Sequence, residues 1–325
     1  MKKISIPKTG LTISAICLGT DHYGGKIPEE TAFVILDRFL EMGGNILDTA
    51  NIYGKWLPAG ENASERVIGK WIRSRGISDQ RMLVATKGGH YDLSDPGVSR
   101  VREDSIRADL DESLRALNRD HADIYYFHRD REEIPAGELL EWMERLVSEG
   151  KIRYYAASNF RSERMDEAAA YAKAHGLKGF IGLQNRFSLA VSNPAPAVWD
   201  TMRSMDRDFF AWHVRTQTPL FPYTSSAHGY FAKLVSGTVP EAMKKEYGNA
   251  QNDAIFRLLC RESEESGKNV FVLAQAFLQA LPFPVVPLMT AAKPEQLDDF
   301  EDAADFDMPG EWTEKYLQVL EYPAK

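Results

Sequence analysis

From Ile16 onward the chain repeats one alternation: a short, almost continuous apolar run, then a longer stretch with apolar residues at helical spacing. Strands apolar on both faces must be covered on both faces, which a parallel sheet wrapped by helices achieves. The alternation therefore predicts successive βα units. The apolar runs are Ile16-Cys-Leu-Gly, Asn45-Ile-Leu-Asp48, 82–87, 122–128, 152–158, 179–184, Leu220-Phe-Pro-Tyr-Thr224 and Pro284-Val-Val-Pro-Leu-Met289. Helices are predicted to open at Pro28-Glu-Glu and at Ser64 as N-cap, then to cover 103–118, 137–149, 162–175, 196–213, 250–266 and 270–281. A further one starts near Pro294, and Glu311 to Leu320 reads as a last helix followed by five residues. Gly43-Gly44 and Gly76 stop their helices, and Ile106, Leu110, Leu114 and Leu117 make one apolar stripe. Ahead of the first unit, Lys3-Ile-Ser-Ile and Leu11-Thr-Ile-Ser flank a turn at Lys8-Thr-Gly10 and read as a hairpin.

Eight such units fit either a closed barrel or an open doubly wound sheet. Two observations favour the barrel. No Gly-x-Gly-x-x-Gly follows any strand. Polar residues end nearly every strand, as a ring requires, rather than gathering at one switch point. The expectation is a (β/α)8 TIM barrel with an N-terminal β-hairpin, in one domain spanning 1–325. A net charge of −8 argues against a nucleic-acid or anionic-membrane partner. Two distant cysteines, no signal-peptide pattern and no membrane-length apolar run point to the cytoplasm.

Three of the strand ends carry ionisable groups. Asp48 follows Asn45-Ile-Leu, Lys87 follows Met82-Leu-Val-Ala-Thr, and His128 follows Asp123-Ile-Tyr-Tyr-Phe; Tyr53 stands five places past Asp48. The rim of a barrel is where loops build active sites. A free phenol has a pKa of about 10 and needs a neighbouring cation to release its proton readily. Lys87 can be that cation, and a lysine buried at a strand end needs a counter-charge such as Asp48. His128 is a candidate hydrogen-bond donor to a substrate oxygen. A metal is not expected, because the seven histidines include no pair at ligand spacing.

These segments, taken in order, resemble the aldo-keto reductase superfamily over essentially the whole chain. The matching stretches are Gly10-Leu-Thr-Ile-Ser-Ala-Ile-Cys-Leu-Gly-Thr20, Asp48-Thr-Ala-Asn-Ile-Tyr-Gly54, Ala85-Thr-Lys-Gly88, Ile124-Tyr-Tyr-Phe-His-Arg129, Glu149-Gly-Lys-Ile-Arg-Tyr-Tyr-Ala-Ala-Ser-Asn-Phe160 and Leu183-Gln-Asn-Arg-Phe-Ser188. The resemblance implies hydride transfer between a nicotinamide cofactor and a carbonyl. Tyr53 is then the general acid, with Lys87 and Asp48 lowering its pKa and His128 orienting the carbonyl. It also implies that Ser158, Asn159 and Gln184 hold the carboxamide of the nicotinamide. Tyr223 would stack on its ring, and Thr224 and Ser226 would approach the pyrophosphate.

One segment departs from the family's pattern. Pro287-Leu-Met-Thr-Ala-Ala-Lys-Pro-Glu-Gln-Leu-Asp-Asp-Phe300 has Thr290 for glycine, Ala292 for the arginine that clasps a 2′-phosphate, and Phe300 for asparagine. Lys293 and Gln296 remain as candidate contacts there, although lysine lacks the bidentate fork of arginine. The cofactor is thus NADP(H) or NAD(H). Charged loops bring Asp21, Trp56 and Arg129 toward the substrate, which suits a sugar, cyclitol or other small polyhydroxylated carbonyl compound. Two other readings compete: a Schiff-base lyase using Lys87, and a non-catalytic nicotinamide-binding redox sensor.

Overall fold

The computed structural model describes residues 1–58, 61–194 and 201–322. Two short antiparallel strands, β1 (Lys3–Ser5) and β2 (Thr12–Ser14), form the expected hairpin. Seven parallel strands follow in one sheet: β3 (Cys17–Gly19), β4 (Ile46–Asp48), β5 (Leu83–Gly88), β6 (Ala122–Phe127), β7 (Ile152–Ser158), β8 (Leu183–Gln184) and β9 (Leu288–Met289). The intervening helices are α1 (Glu29–Glu41), α2 (Ala63–Arg75), α3 (Glu103–Leu117), α4 (Ala136–Ser148), α5 (Ser162–His175), α6 (Arg207–Thr216), α7 (Tyr230–Ser236), α8 (Glu241–Tyr247), α9 (Ala250–Ser266), α10 (Val270–Gln279), α11 (Gln296–Asp305) and α12 (Gly310–Val319). The sheet order is β8-β7-β6-β5-β4-β3-β9, so chain order runs around the sheet with β9 returning to pair with β3. Leu220 closes the remaining gap through single parallel bridges to Leu183 and Val285. The result is the α/β barrel the alternation predicts.

The seventh stave is a seam rather than a ladder. Pro219 and Pro222 flank it, and Pro284 and Pro287 interrupt the eighth. Proline has no N–H to donate, so the pairing there is broken into isolated bridges, with hydrogen bonds made by the N–H groups of residues such as Phe221, Tyr223, Val286 and Leu288. The same side of the barrel departs most from the predicted elements. Positions 201–206 are not helical, and α6 instead starts after Asp206, whose carboxylate accepts the Phe209 N–H at 2.8 Å; positions 196–200 of the expected helix lie outside the described residues. Helices α7 and α8 were not anticipated. Ser64 lies inside α2, not at its cap, and its hydroxyl bonds those of Thr20 (2.8 Å) and Thr49 (2.9 Å).

Alternation within each strand sorts the residues. Cys17, Ile46, Ala85, Ile124, Tyr126 and Ala156 point into the barrel and pack with Phe221 and Val286. Ile6, Leu11 and Ile13 of the hairpin segment join the same cluster and plug the barrel floor. The outward residues pack against helices, among them the whole Ile106, Leu110, Leu114 and Leu117 stripe of α3. At Gly69 of α2 a Cβ would come within 2.1 Å of the Ala116 carbonyl oxygen, so only glycine allows the two helices to touch. Stepping two residues up from the inward layer reaches Gly19, Asp48, Lys87, His128 and Ser158. The polar strand ends are therefore the top layer of the barrel interior.

Candidate active site

Lys87 is 1% exposed and Asp48 2%, so this ion pair sits in a nearly dry environment. Its ammonium donates to Asp48 Oδ1 at 2.5 Å, to the Thr49 carbonyl at 2.8 Å and to the Tyr53 hydroxyl at 3.2 Å. The three donors of the ammonium thus have three partners. Asp48 Oδ2 is held in turn by Gln184 Nε2 at 2.9 Å. Burial alone would pull Lys87 down, but Asp48 and Tyr53 more than reverse this and keep it protonated. For Tyr53 the balance differs from the family expectation. Burial pushes the phenol above its ordinary value by more than Lys87 draws it down. A buried phenolate costs more than one partly shared ammonium returns, so Tyr53 is a neutral phenol poised to donate.

The loop carrying Tyr53 is pinned from below. The Asn51 N–H donates to the Lys87 carbonyl at 3.1 Å, and the Asn51 amide donates to Glu112 Oε2 at 2.9 Å. Lys55 bonds both Asn51 Oδ1 (2.8 Å) and Glu112 Oε2 (2.7 Å). Nothing local in the sequence marks Glu112, because it approaches from α3.

The His128 and Tyr53 rings meet edge-on with centroids 6.0 Å apart. Burial, with Arg129, His90 and Lys87 nearby, holds His128 well below its usual pKa. A neutral imidazole results, able to donate one hydrogen bond. His90 packs edge-on against it at 4.7 Å. Its Nδ1 lies 2.9 Å from the Tyr91 carbonyl and its Nε2 lies 3.1 Å from Arg129 Nη2. Since the carbonyl can only accept and the guanidinium can only donate, His90 is the neutral Nδ1–H tautomer. Burial and Arg129 push its pKa down to about 4, in agreement. His90 was not singled out from sequence, although it follows Lys87 over the same strand end.

A cavity of about 1100 Å³ opens above this layer and extends toward α9, α10 and α11. Of the residues named from sequence, Asp21, Asp48, Tyr53, His128, Arg129, Ser158, Asn159, Gln184, Tyr223, Thr224, Ser226 and Gln296 line it. Lys87 lies immediately beneath. Lys293 is exposed and does not line it. Trp56 also stays out of the lining; it is 49% exposed, with its ring 6.1 Å from that of Tyr53.

Asn159, with φ 64°, spends its amide inside the protein. Its Nδ2 donates to the His128 carbonyl and Ser158 Oγ, while Oδ1 accepts from the Tyr223 hydroxyl (2.8 Å) and the Arg203 N–H. Gln184, besides its bond to Asp48, also meets the Tyr126 hydroxyl beneath it. At the far end, Asn269 Nδ2 donates to Asp299 Oδ1 at 2.8 Å, and Gln296 Oε1 accepts the N–H groups of Ala292 and Lys293. Phe300 is buried against Phe271 with centroids 6.1 Å apart. Neighbouring cations are already paired, Lys268 with Asp302 and Arg38 with Asp298.

The barrel and the strand-end layer define a class, and comparison with known proteins agrees. The model of the Aldo/keto reductase family matches residues 15–316, and the chain belongs to that family. It is an NAD(P)-dependent oxidoreductase. Among its relatives, the uncharacterized oxidoreductase YrpG of Bacillus subtilis is 31% identical over 96% of this chain and 93% of its own. Aryl-alcohol dehydrogenase [NADP(+)] of Phanerodontia chrysosporium is 27% identical over 94% and 82%, respectively. Norsolorinic acid reductase B of Aspergillus parasiticus is 26% identical over 94% and 80%. No described helix is long and apolar enough to cross a membrane.

Proposed function

We propose that the protein interconverts a small polar carbonyl compound and its alcohol, a sugar, cyclitol or similarly hydroxylated substrate, with Tyr53 handling the proton. The observation that carries this reading is the contact of the buried Lys87 ammonium with both Asp48 and the Tyr53 hydroxyl. A bound nicotinamide supplies or accepts the hydride. In the reducing direction Tyr53 passes its hydroxyl proton to the nascent alkoxide, and Lys87 stabilises the phenolate left behind. Neutral His128 donates a hydrogen bond that polarises the carbonyl and fixes its face. Gln184, tied to Asp48, has the donor and acceptor that a carboxamide needs, and the Tyr223 ring offers the stacking plane. Lys87 stays protonated and so lacks the lone pair that Schiff-base chemistry requires.

For the cofactor we favour NAD(H). The far end of the cavity fits an adenosine with free ribose hydroxyls, because Asp299 keeps Oδ2 available as an acceptor. It does not fit a 2′-phosphate. Ala292 has no charge, Lys293 lies outside the lining, and Asp299 would repel the added anion. Tyr53→Phe tests the mechanism. The expected result is a loss in kcat of about 10²- to 10⁴-fold with cofactor affinity by fluorescence titration unchanged; full retained turnover would sink it.

A further inference from the structure

Arg129 follows His128 at the end of β6, lines the cavity, and carries a charge that no carboxylate among the described residues balances. Its three hydrogen bonds all go to neutral acceptors: the His128 carbonyl from Nη1 at 2.8 Å, His90 Nε2 from Nη2 at 3.1 Å, and Thr201 Oγ1 from Nε at 3.0 Å; its guanidinium also lies over the neutral Tyr91 ring, 5.7 Å from the centroid. Among the described residues no carboxylate lies within ion-pair reach of it. The nearby acids are taken by other arginines: Asp130 by Arg164 at 3.1 Å, and Glu132 by Arg161 at 2.9 Å and Arg203 at 3.4 Å. A guanidinium has five N–H donors, so one remains on each terminal nitrogen. Partly buried charges are usually paired, and neutral acceptors orient a guanidinium without cancelling its charge. His90 is committed to that task by its own Nδ1–H bond to the Tyr91 carbonyl.

From this we infer that Arg129 is an anion receptor beside the reacting carbonyl, and that the substrate carries a carboxylate or a phosphate close to its aldehyde or ketone group. The inference rests on the carbonyl-reductase reading above and narrows its substrate. Arg129 adjoins the histidine that faces Tyr53, so an anion held there sits a short chain away from a carbonyl placed at Tyr53 and His128. Of the acids in this lining, Asp48 is paired with Lys87 and Asp299 lies at the α10–α11 end; Asp21 belongs to the loop after β3, where it accepts from Thr290 at 3.2 Å, and β3 lies three strands around the sheet from β6.

The test compares kcat/KM for butanal, 4-oxobutanoate and glycolaldehyde phosphate in the parent protein, Arg129→Met and Arg129→Lys. The parent is expected to favour an anionic substrate over butanal, the carboxylate and phosphate arms showing which anion is preferred. That ratio should fall about thirtyfold in Arg129→Met and be partly restored in Arg129→Lys. It should also decline as salt is raised. A parent that reduces butanal as well as both anions, or a ratio unmoved in Arg129→Met, overturns the receptor while leaving the reductase intact. Thermal shift with butanoate against butan-1-ol reads the receptor without turnover. Stabilisation by butanoate alone, lost in Arg129→Met, supports it even if every aldehyde is inert, an outcome that would instead overturn the reductase reading. No preference for butanoate in the parent overturns it.

Discussion

The two ends of the cavity are built on opposite plans. At the strand-end layer the important groups are almost dry and, Arg129 apart, their charges are paired: Lys87 has three acceptors, Asp48 two donors, and the Asn159 side chain four bonds. At the α10–α11 end the lining is sparse in charge, with one carboxylate, two amides and two phenylalanines, and nearby cations are spent on other acids. Chemistry demands preorganisation within fractions of an ångström, whereas recognition of a remote group needs only complementary charge and shape. The first end is therefore intolerant of change and the second open to redesign.

Breaking the first end should give the largest effect. Lys87→Met strands Asp48 as an uncompensated buried carboxylate. The expected cost is about 3–5 kcal/mol of stability together with a fall in kcat of about 10³-fold or more. Chemical denaturation and steady-state rates would measure both. Adding Asp48→Asn should return much of the stability but none of the activity. Recovered activity in the double variant would mean that the pair only holds the fold.

The second end should yield to a single residue. Ala292→Arg supplies the missing guanidinium, and NADP(H) affinity relative to NAD(H) is expected to rise about tenfold, read by fluorescence titration of each cofactor. A parent that already binds NADP(H) the more tightly would contradict the assignment of this end.

The smallest effect is a matter of pH. Reduction needs the protonated phenol, and Tyr53 titrates above its ordinary value. The chemical step in reduction should hence vary by less than about twofold from pH 6 to 9 and fall only above that range. Oxidation needs the deprotonated form and should keep rising with pH. A reductive rate that drops between pH 6 and 8 would reassign the proton donor.

The strand-end layer was legible in the sequence because ionisable groups end apolar runs, and the alternation of a strand then fixes which way they point. Once Ile46, Ala85 and Tyr126 are read as inward, Asp48, Lys87 and His128 must point inward too. Ala292 and Asp299 were equally readable, since the expected segment could be laid against them residue by residue. What stayed hidden was long-range. Glu112 reaches Asn51 from another helix, and His90 grips Arg129 from a different strand end, so neither pairing leaves a local signature. Ser64 looked like an N-cap by type, yet three hydroxyls packing together drew it into α2. Lys293 carries the right charge beside the missing arginine, but it is exposed and lies outside the cavity lining.

The proline-flanked seam at Leu220 bears on how the barrel responds to its ligand. Most staves are laced by ladders, while here closure is made by isolated bridges from Leu220 to Leu183 and Val285 and from Tyr223 to Arg186. Tyr223 lies just past Leu220 on one side of that gap, and Thr290 and Gln296 lie past Val285 on the other. A ligand stretched between them would span this proline-flanked joint of the cylinder and cross-link it. Occupancy and closure then share one free energy, so whatever tightens the clasp also tightens the grip on its contents.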